Sequence, residues 1–293
     1  MIFLDKGKII FEGKVEDIPK KLLSSLMLLK IYLIKLKALI LHQVYYSTKN
    51  NISRLAELFI WPLYELSIWG FFSLQFKNMT SSGLVFSFQF FLGALFLWSF
   101  IRRLQEDICS SVLVDINSRN FKNFLITPIT IFDLSFSLLI SSLLKYLFSF
   151  LMIFLVTLLL FKFNIFIFLI KVFPFAVSLI IFGWVLGIFG LSLIFATGGR
   201  MMVISGIISL IIQPFSCVFY AREILPGIFK TISYFLPISY VFESLRDLIS
   251  NNYFSRGDLL FSFLLNFIYA FLVILFLRWM YFLGRKRGKF IEI

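Results

Sequence analysis

The chain has 293 residues, 60% of them hydrophobic and 41 of them phenylalanine, with a mean hydropathy of +0.96. Such a composition lies outside the soluble range and places the chain in the membrane class. Its formal charge of +13 is spread along apolar segments rather than gathered on one soluble face, which favours orientation in a bilayer over nucleic-acid binding. Cys109 and Cys217 form no disulfide framework, and the single histidine, His42, cannot hold a metal alone. No Walker lysine motif, paired carboxylates or metal-ligand spacing is present, so the chain does not look like an enzyme and no cofactor is expected on it.

Residues 1–19 place Asp5, Lys6 and Lys8 close together, which excludes a span and a secretory signal. Met1–Leu4 and Lys8–Glu12 predict two short strands around the turn Asp5-Lys6-Gly7. Residues 20–50 are apolar but carry Lys20, Lys21, Lys30, Lys35 and Lys37. At 100° per residue, Lys20, Lys21, Ser24, Ser25, Lys35, His42 and Gln43 share one broad face, as expected of a helix lying in the membrane interface with lysines reaching headgroups.

Residues 51–293 form the third unit, an all-α polytopic domain with six expected spans. These are placed at about Leu55–Phe76, Leu84–Ile101, Phe136–Phe161, Phe173–Phe195, Met202–Phe219 and Leu260–Leu283, each sized for a ~30 Å hydrocarbon core. With these spans, 20 of the 28 Lys and Arg residues fall on the side of the N-terminus, seven on the other, and Lys145 within a span. The positive-inside rule then puts both termini in the cytoplasm.

The long polar interruption from Arg102 to Asp133 carries Arg102, Arg103, Glu106, Asp107, Asp115, Arg119 and Lys122 and ends near Thr127-Pro128. It predicts a charged cytoplasmic loop that a soluble partner could grip. Pro128 disfavours helix at the residue before it, and Thr130 with Asp133 predicts a capping box opening the next helix. Glu65 stands about 16 Å up the first span and Lys145 about 18 Å up the third. Their similar depth near mid-bilayer predicts a pair or a shared polar cavity, serving helix packing or substrate contact. Gly183-x-x-x-Gly187, with Gly190 beyond, gives the fourth span a small face for close packing or a dimer seam. In the outer segment 221–258, Pro226 and Pro237 open two short apolar helices expected to be re-entrant or interfacial. Glu243 and Arg246, at i and i+3, predict a local ion pair.

Trp61-Pro62-Leu-Tyr-Glu65-Leu-Ser-Ile-Trp69-Gly70-Phe71 resembles the first span of type-2 ATP-binding-cassette (ABC) exporter permeases. Leu113-Val-Asp115-Ile-Asn117-Ser118-Arg119-Asn120 with Thr127-Pro128 is similar to that family's cytoplasmic loop between spans two and three. Gln213-Pro214-Phe-Ser-Cys-Val218-Phe219-Tyr220 is similar to the end of its fifth span. Leu225-Pro226 and Leu236-Pro237-Ile-Ser-Tyr240-Val-Phe-Glu243-Ser-Leu-Arg246 are similar to its outer elements. These passages stand in family order over roughly residues 20–285, with Arg222 where a proline is more usual. Gly7-x-Ile9-x-x-x-Gly13 resembles strands near the end of an ABC ATPase domain; a small cytoplasmic cap is the plainer reading.

The resemblance implies a homo- or heterodimer of permeases in the cell (inner) membrane, each docked on an ATPase subunit that binds ATP and Mg. Arg102, Arg103, Glu106, Asp107, Asp115, Arg119, Lys122, Thr127 and Pro128 would then couple to that subunit. Tyr220, Pro226, Pro237, Tyr240, Glu243 and Arg246 would form an outer gate. Alternating access would export a hydrophobic or amphipathic substrate. The other class of reading is a non-transporting anchor that docks a soluble partner through the same loop.

Overall fold

The structure, a computed structural model, describes residues 2–5, 8–12, 25–49, 60, 63–64, 67–68, 70–71, 84–118, 120–161, 165–197, 201–251 and 253–287. Most of the expected span Leu55–Phe76, Glu65 included, lies outside the described residues. Strands β1 (Ile2–Asp5) and β2 (Lys8–Glu12) pair antiparallel, Ile2 opposite Glu12 and Asp5 opposite Lys8, with a register irregularity between Phe3 and Leu4. The two strands expected on either side of the turn are therefore present and paired; Lys6 and Gly7 lie outside the described residues.

The rest of the described chain is helical. In order come α1 (Ser25–Lys49), α2 (Leu84–Asn117), α3 (Phe121–Ile126), α4 (Ile131–Phe161), α5 (Ile165–Thr197) and α6 (Met202–Ile212). Then follow α7 (Gly227–Phe235), α8 (Pro237–Asn251) and α9 (Arg256–Lys286), with 3-10 turns at Gln213–Phe215 and Arg222–Ile224. Among the described residues, three segments are long and apolar enough to cross a membrane: Ile131–Val156, Val172–Thr197 and Arg256–Lys286. The fifth expected span is shorter than its sequence implies. At 11 residues, α6 rises only about 16 Å before Pro214 removes a backbone donor and the chain turns through Cys217 at φ 56°.

The central helix is α2. Its stripe of Ala94, Leu97, Ile101, Leu104, Ile108 and Val112, spaced at threes and fours, is wholly buried. It lies against α5, where Gly183, Gly187 and Gly190 allow close approach. A Cβ on Gly183 would stand 3.0 Å from Ile101 Cα, and one on Gly187 only 2.5 Å from Ile108 Cδ1. The glycine face is thus used for packing within the chain.

One expectation changes here. The polar interruption does not begin as a loop at Arg102, because α2 runs on unbroken to Asn117 over 34 residues, roughly 51 Å. Ile101 packs on Gly183, near the middle of the apolar run Val172–Thr197, so residues 102–107 lie alongside the second half of α5.

The kind of obstacle at each glycine yields a test. At Gly183 a methyl group meets the backbone of Ile101, which cannot yield locally, whereas at Gly187 it first meets the far end of a side chain. Alanine gains up to about 1 kcal/mol in helix propensity at either site. Gly183→Ala is therefore expected to destabilise by about 1–2 kcal/mol net and Gly187→Ala to be nearly neutral, read from unfolding in mixed detergent micelles.

Candidate functional site

The polar side chains of α2 are turned toward other helices and define a connected seam. Arg102 and Arg103 are 7% and 9% exposed, so neither forms open surface. Arg102 Nη1 donates to Glu106 Oε1 at 2.9 Å, and Arg103 Nη1 lies 3.8 Å from Glu106 Oε2. One turn on, Lys145 of α4 reaches Asp107, with Nζ 2.8 Å from Oδ1 and 2.7 Å from Oδ2, and donates to Ser111 Oγ at 3.0 Å. Lys145 is 3% exposed, and Asp107 with Ser111 supplies the oxygen partners a buried ammonium requires. The carboxylate partner found for Lys145 is thus Asp107; Glu65, the expected one, lies outside the described residues. Beside this pair, Tyr146 and Ser99 share a 2.9 Å hydrogen bond.

Gln105, fully buried, joins the seam to α6. Its Nε2 donates to the Ser205 carbonyl and, at 3.4 Å, to that of Gly206, while its Oε1 accepts from Ser209 N–H at 3.3 Å. The carboxamide so lies along one backbone turn of α6 and ties that short helix to α2.

At the far end of α2, α1 acts as a strap. Gln43 Nε2 donates to Asp115 Oδ2 at 2.9 Å, and Lys35 pairs with Asp133. Asp133 also closes the expected capping box, accepting from Thr130 N–H at 2.9 Å while its own N–H donates to Thr130 Oγ1 at 3.2 Å. His42 meets Phe124 edge-on at 5.5 Å. In the described part of the expected polar face the orientation differs: Lys35, His42 and Gln43 face protein, while Leu33, Ile34, Leu41 and Tyr45 face outward, each more than half exposed; Lys20, Lys21, Ser24 and the Ser25 side chain lie outside the described residues. The cause is the pair of carboxylates, Asp115 and Asp133, whose buried charge needs donors more than headgroups need lysines.

Beyond α2 the chain makes a compact tip. Phe121 is buried against Phe195, and Thr127 turns extended before Pro128 at φ −91°, ψ 155°. Ile126 is 84% exposed, and Thr127 and Pro128 are exposed beside it. Of the expected coupling residues, then, Arg102, Arg103, Glu106, Asp107 and Asp115 belong to the seam, and Thr127 and Pro128 to the tip. Arg119 and the Lys122 side chain lie outside the described residues.

Most of the residues expected at an outer gate gather around an organiser that the sequence did not disclose. Pro226 precedes α7 and Pro237 opens α8. Glu243 Oε1 accepts from Arg246 Nη1 at 2.8 Å, as the i, i+3 spacing predicts, and also from Arg222 N–H at 2.7 Å. Arg246 Nη2 donates to the Cys217 carbonyl at 3.2 Å. Arg222 lies between two rings, its guanidinium carbon 4.5 Å from the Tyr234 centroid and 4.6 Å from that of Tyr240. Tyr240 donates to the Tyr234 carbonyl at 3.0 Å and Tyr220 to that of Pro214, so both hydroxyls hold loops in place. The only legible trace of Arg222's role was its standing where proline is more usual.

No protein-family model matches the chain, and no curated protein matches it.

The buried pair separates two costs. Lys145→Met leaves Asp107 without its main counter-charge and is expected to destabilise by about 3–5 kcal/mol. Adding Asp107→Leu to Lys145→Met should recover most of that loss, because a joint apolar replacement leaves no uncompensated charge. Unfolding midpoints of the two single variants and the double variant, in detergent, check this.

Proposed function

We propose that this chain is the permease subunit of a type-2 ABC exporter, driven by a partner ATPase. The observation that carries this reading is the unbroken course of α2 from the apolar stripe packed on α5 to Asn117, from which the chain leads to the exposed Ile126, Thr127 and Pro128. Force applied at Ile126, Thr127 and Pro128 would pass into a helix tied to α6 through Gln105, to α4 through Lys145, and to α1 through Asp115. A chain without a nucleotide motif needs such a lever. The ordered resemblance of the four sequence passages supplies the kind of partner, an ATPase subunit binding ATP and Mg, and the outward direction of transport.

In this proposal the chain crosses the membrane six times, with both termini in the cytoplasm of a dimer seated in the cell membrane. The fifth crossing consists of α6, its 3-10 turn and residues 216–218. Non-helical backbone is tolerated at membrane depth where protein covers it, and Ser216, Cys217 and Val218 are at most 1% exposed. The cluster around Arg222, Glu243 and Arg246 closes the outer end. The substrate is apolar or amphipathic.

The test places this chain with a candidate ABC ATPase in liposomes. ATP turnover should rise when the chain is added, and Ile126→Asp should abolish the rise without lowering the unfolding midpoint. A cysteine at position 126 should react with an impermeant maleimide only from the cytoplasmic side. Labelling from outside would overturn the proposal; a stable complex with unchanged turnover would favour the anchoring role.

A further inference from the structure

The last turns of α9 carry cations that have no part in coupling or in the outer cluster. Phe267, Phe271, Leu275, Arg278, Phe282 and Arg285 follow one another at threes and fours, so they share one helix face, and all six are exposed. Trp279 and Lys286 flank this face and are exposed as well. The face is thus apolar as far as Leu275 and mixes aromatic with basic side chains beyond it. Among the described residues, Arg278, Arg285 and Lys286 have no ion-pair partner.

The length of the helix says where this change falls. With 31 residues α9 is about 46 Å long, close to the ~40–45 Å of a bilayer with both headgroup layers. Residues 278–286 therefore occupy about the last 12 Å, from the edge of the hydrocarbon core into the headgroups. Aromatic rings and basic side chains are both favoured at that depth.

A second helix brings cations to the same end. Tyr281 meets Phe195 at 5.6 Å, Phe195 meets Phe121 at 5.5 Å, Phe121 meets Phe124 at 6.0 Å, and Phe124 meets His42 of α1 at 5.5 Å. This run of rings sets α1 at the end of the domain where α9 stops. Lys37, between the anchoring residues Lys35 and Gln43, is exposed on the outward face with Leu33, Ile34 and Leu41, and Lys30 lies two turns before it on that face. No acidic residue occurs in α1. The described acidic side chains at this end, Asp115 and Asp133, are buried and already bonded to Gln43 and Lys35. The outer segment 221–258 differs, since Glu223, Glu243, Asp247 and Asp258 there balance four basic residues.

We propose that this end of the domain binds anionic phospholipid. Arg278, Arg285 and Lys286 of α9, with Lys30 and Lys37 of α1, hold the headgroup phosphates, and the acyl chains lie on the apolar side chains beside them. Trp279 and Phe282 continue the apolar face of α9 without a break, which suits a partner that is itself continuous with the bilayer. A soluble acidic surface or a free phosphate would leave those rings uncovered. Such binding rests on the reading that α9 crosses a membrane; it needs neither export nor an ATPase.

The experiment places the full chain in phosphatidylcholine nanodiscs doped with brominated phosphatidylglycerol or brominated phosphatidylcholine. Quenching of Trp279 is read as the difference between the unsubstituted chain and Trp279→Phe. The anionic lipid should be preferred at Trp279 by about fivefold or more, the factor that one Lys or Arg contributes near an anionic surface. Joint replacement by Arg278→Gln, Arg285→Gln and Lys286→Gln should bring the ratio to about one, and high salt should lower it in the unsubstituted chain. Native mass spectrometry of the unsubstituted chain, offered both lipids in equal amounts, should show an excess of phosphatidylglycerol adducts and depends on no variant folding. Equal quenching by the two brominated lipids, equal adducts, or a preference that survives the triple replacement would overturn the proposal. Quenching of Trp279 by neither lipid would instead overturn the membrane crossing on which it rests.

Discussion

The contact of α2 with α5 across the glycine face is the constraint on which the remaining structure depends. Glycines at 183, 187 and 190 let α5 approach until its backbone all but touches that of α2 at Ile101. This close approach sets the relative depth of the two helices. With Ile101 beside the middle of an apolar helix, the residues that follow are enclosed by neighbouring helices, and Arg102, Arg103 and Gln105 are at most 9% exposed. They must find partners within the protein, and the seam of Glu106, Asp107, Lys145 and Gln105 is the result.

The seam and the stripe are two faces of one helix, and they serve different ends. The stripe holds α2 to α5 by apolar packing, a contact that tolerates little sliding. The seam holds α1, α4 and α6 by directional bonds, which permit a small number of discrete arrangements. In the proposed exporter, motion at the tip would be carried by the rigid contact and divided among the others by the directional ones. The cluster around Arg222, Glu243 and Arg246 repeats this logic on a smaller scale, since Glu243 gathers a backbone N–H and a guanidinium on a single oxygen.

Local signals in the sequence foretold local structure well. The paired strands Ile2–Asp5 and Lys8–Glu12, the capping box of Thr130 and Asp133, the proline-led helices α7 and α8 and the Glu243–Arg246 pair all depend on residues within a few positions of each other. What escaped detection depends on distant partners. Arg102 to Asp107 looked like a loop because charge normally marks solvent, and nothing nearby reveals that Lys145 and Ser205 lie opposite. The inward face of α1 was misjudged for the same reason: its partners, Asp115 and Asp133, are 72 and 98 residues away.

The strap also implies an order of assembly. Lys35 leaves the ribosome 98 residues before Asp133, a delay of roughly 5–20 s at ordinary rates of synthesis. Throughout that interval the ammonium of α1 lacks its native anion, and its outward-facing Leu33, Ile34 and Tyr45 can already enter the lipid surface. The first part of the domain to be made is therefore among the last to reach its final contacts. Nascent chains halted before residue 133 should hold this helix at the membrane with its polar edge still awaiting the protein that will cover it.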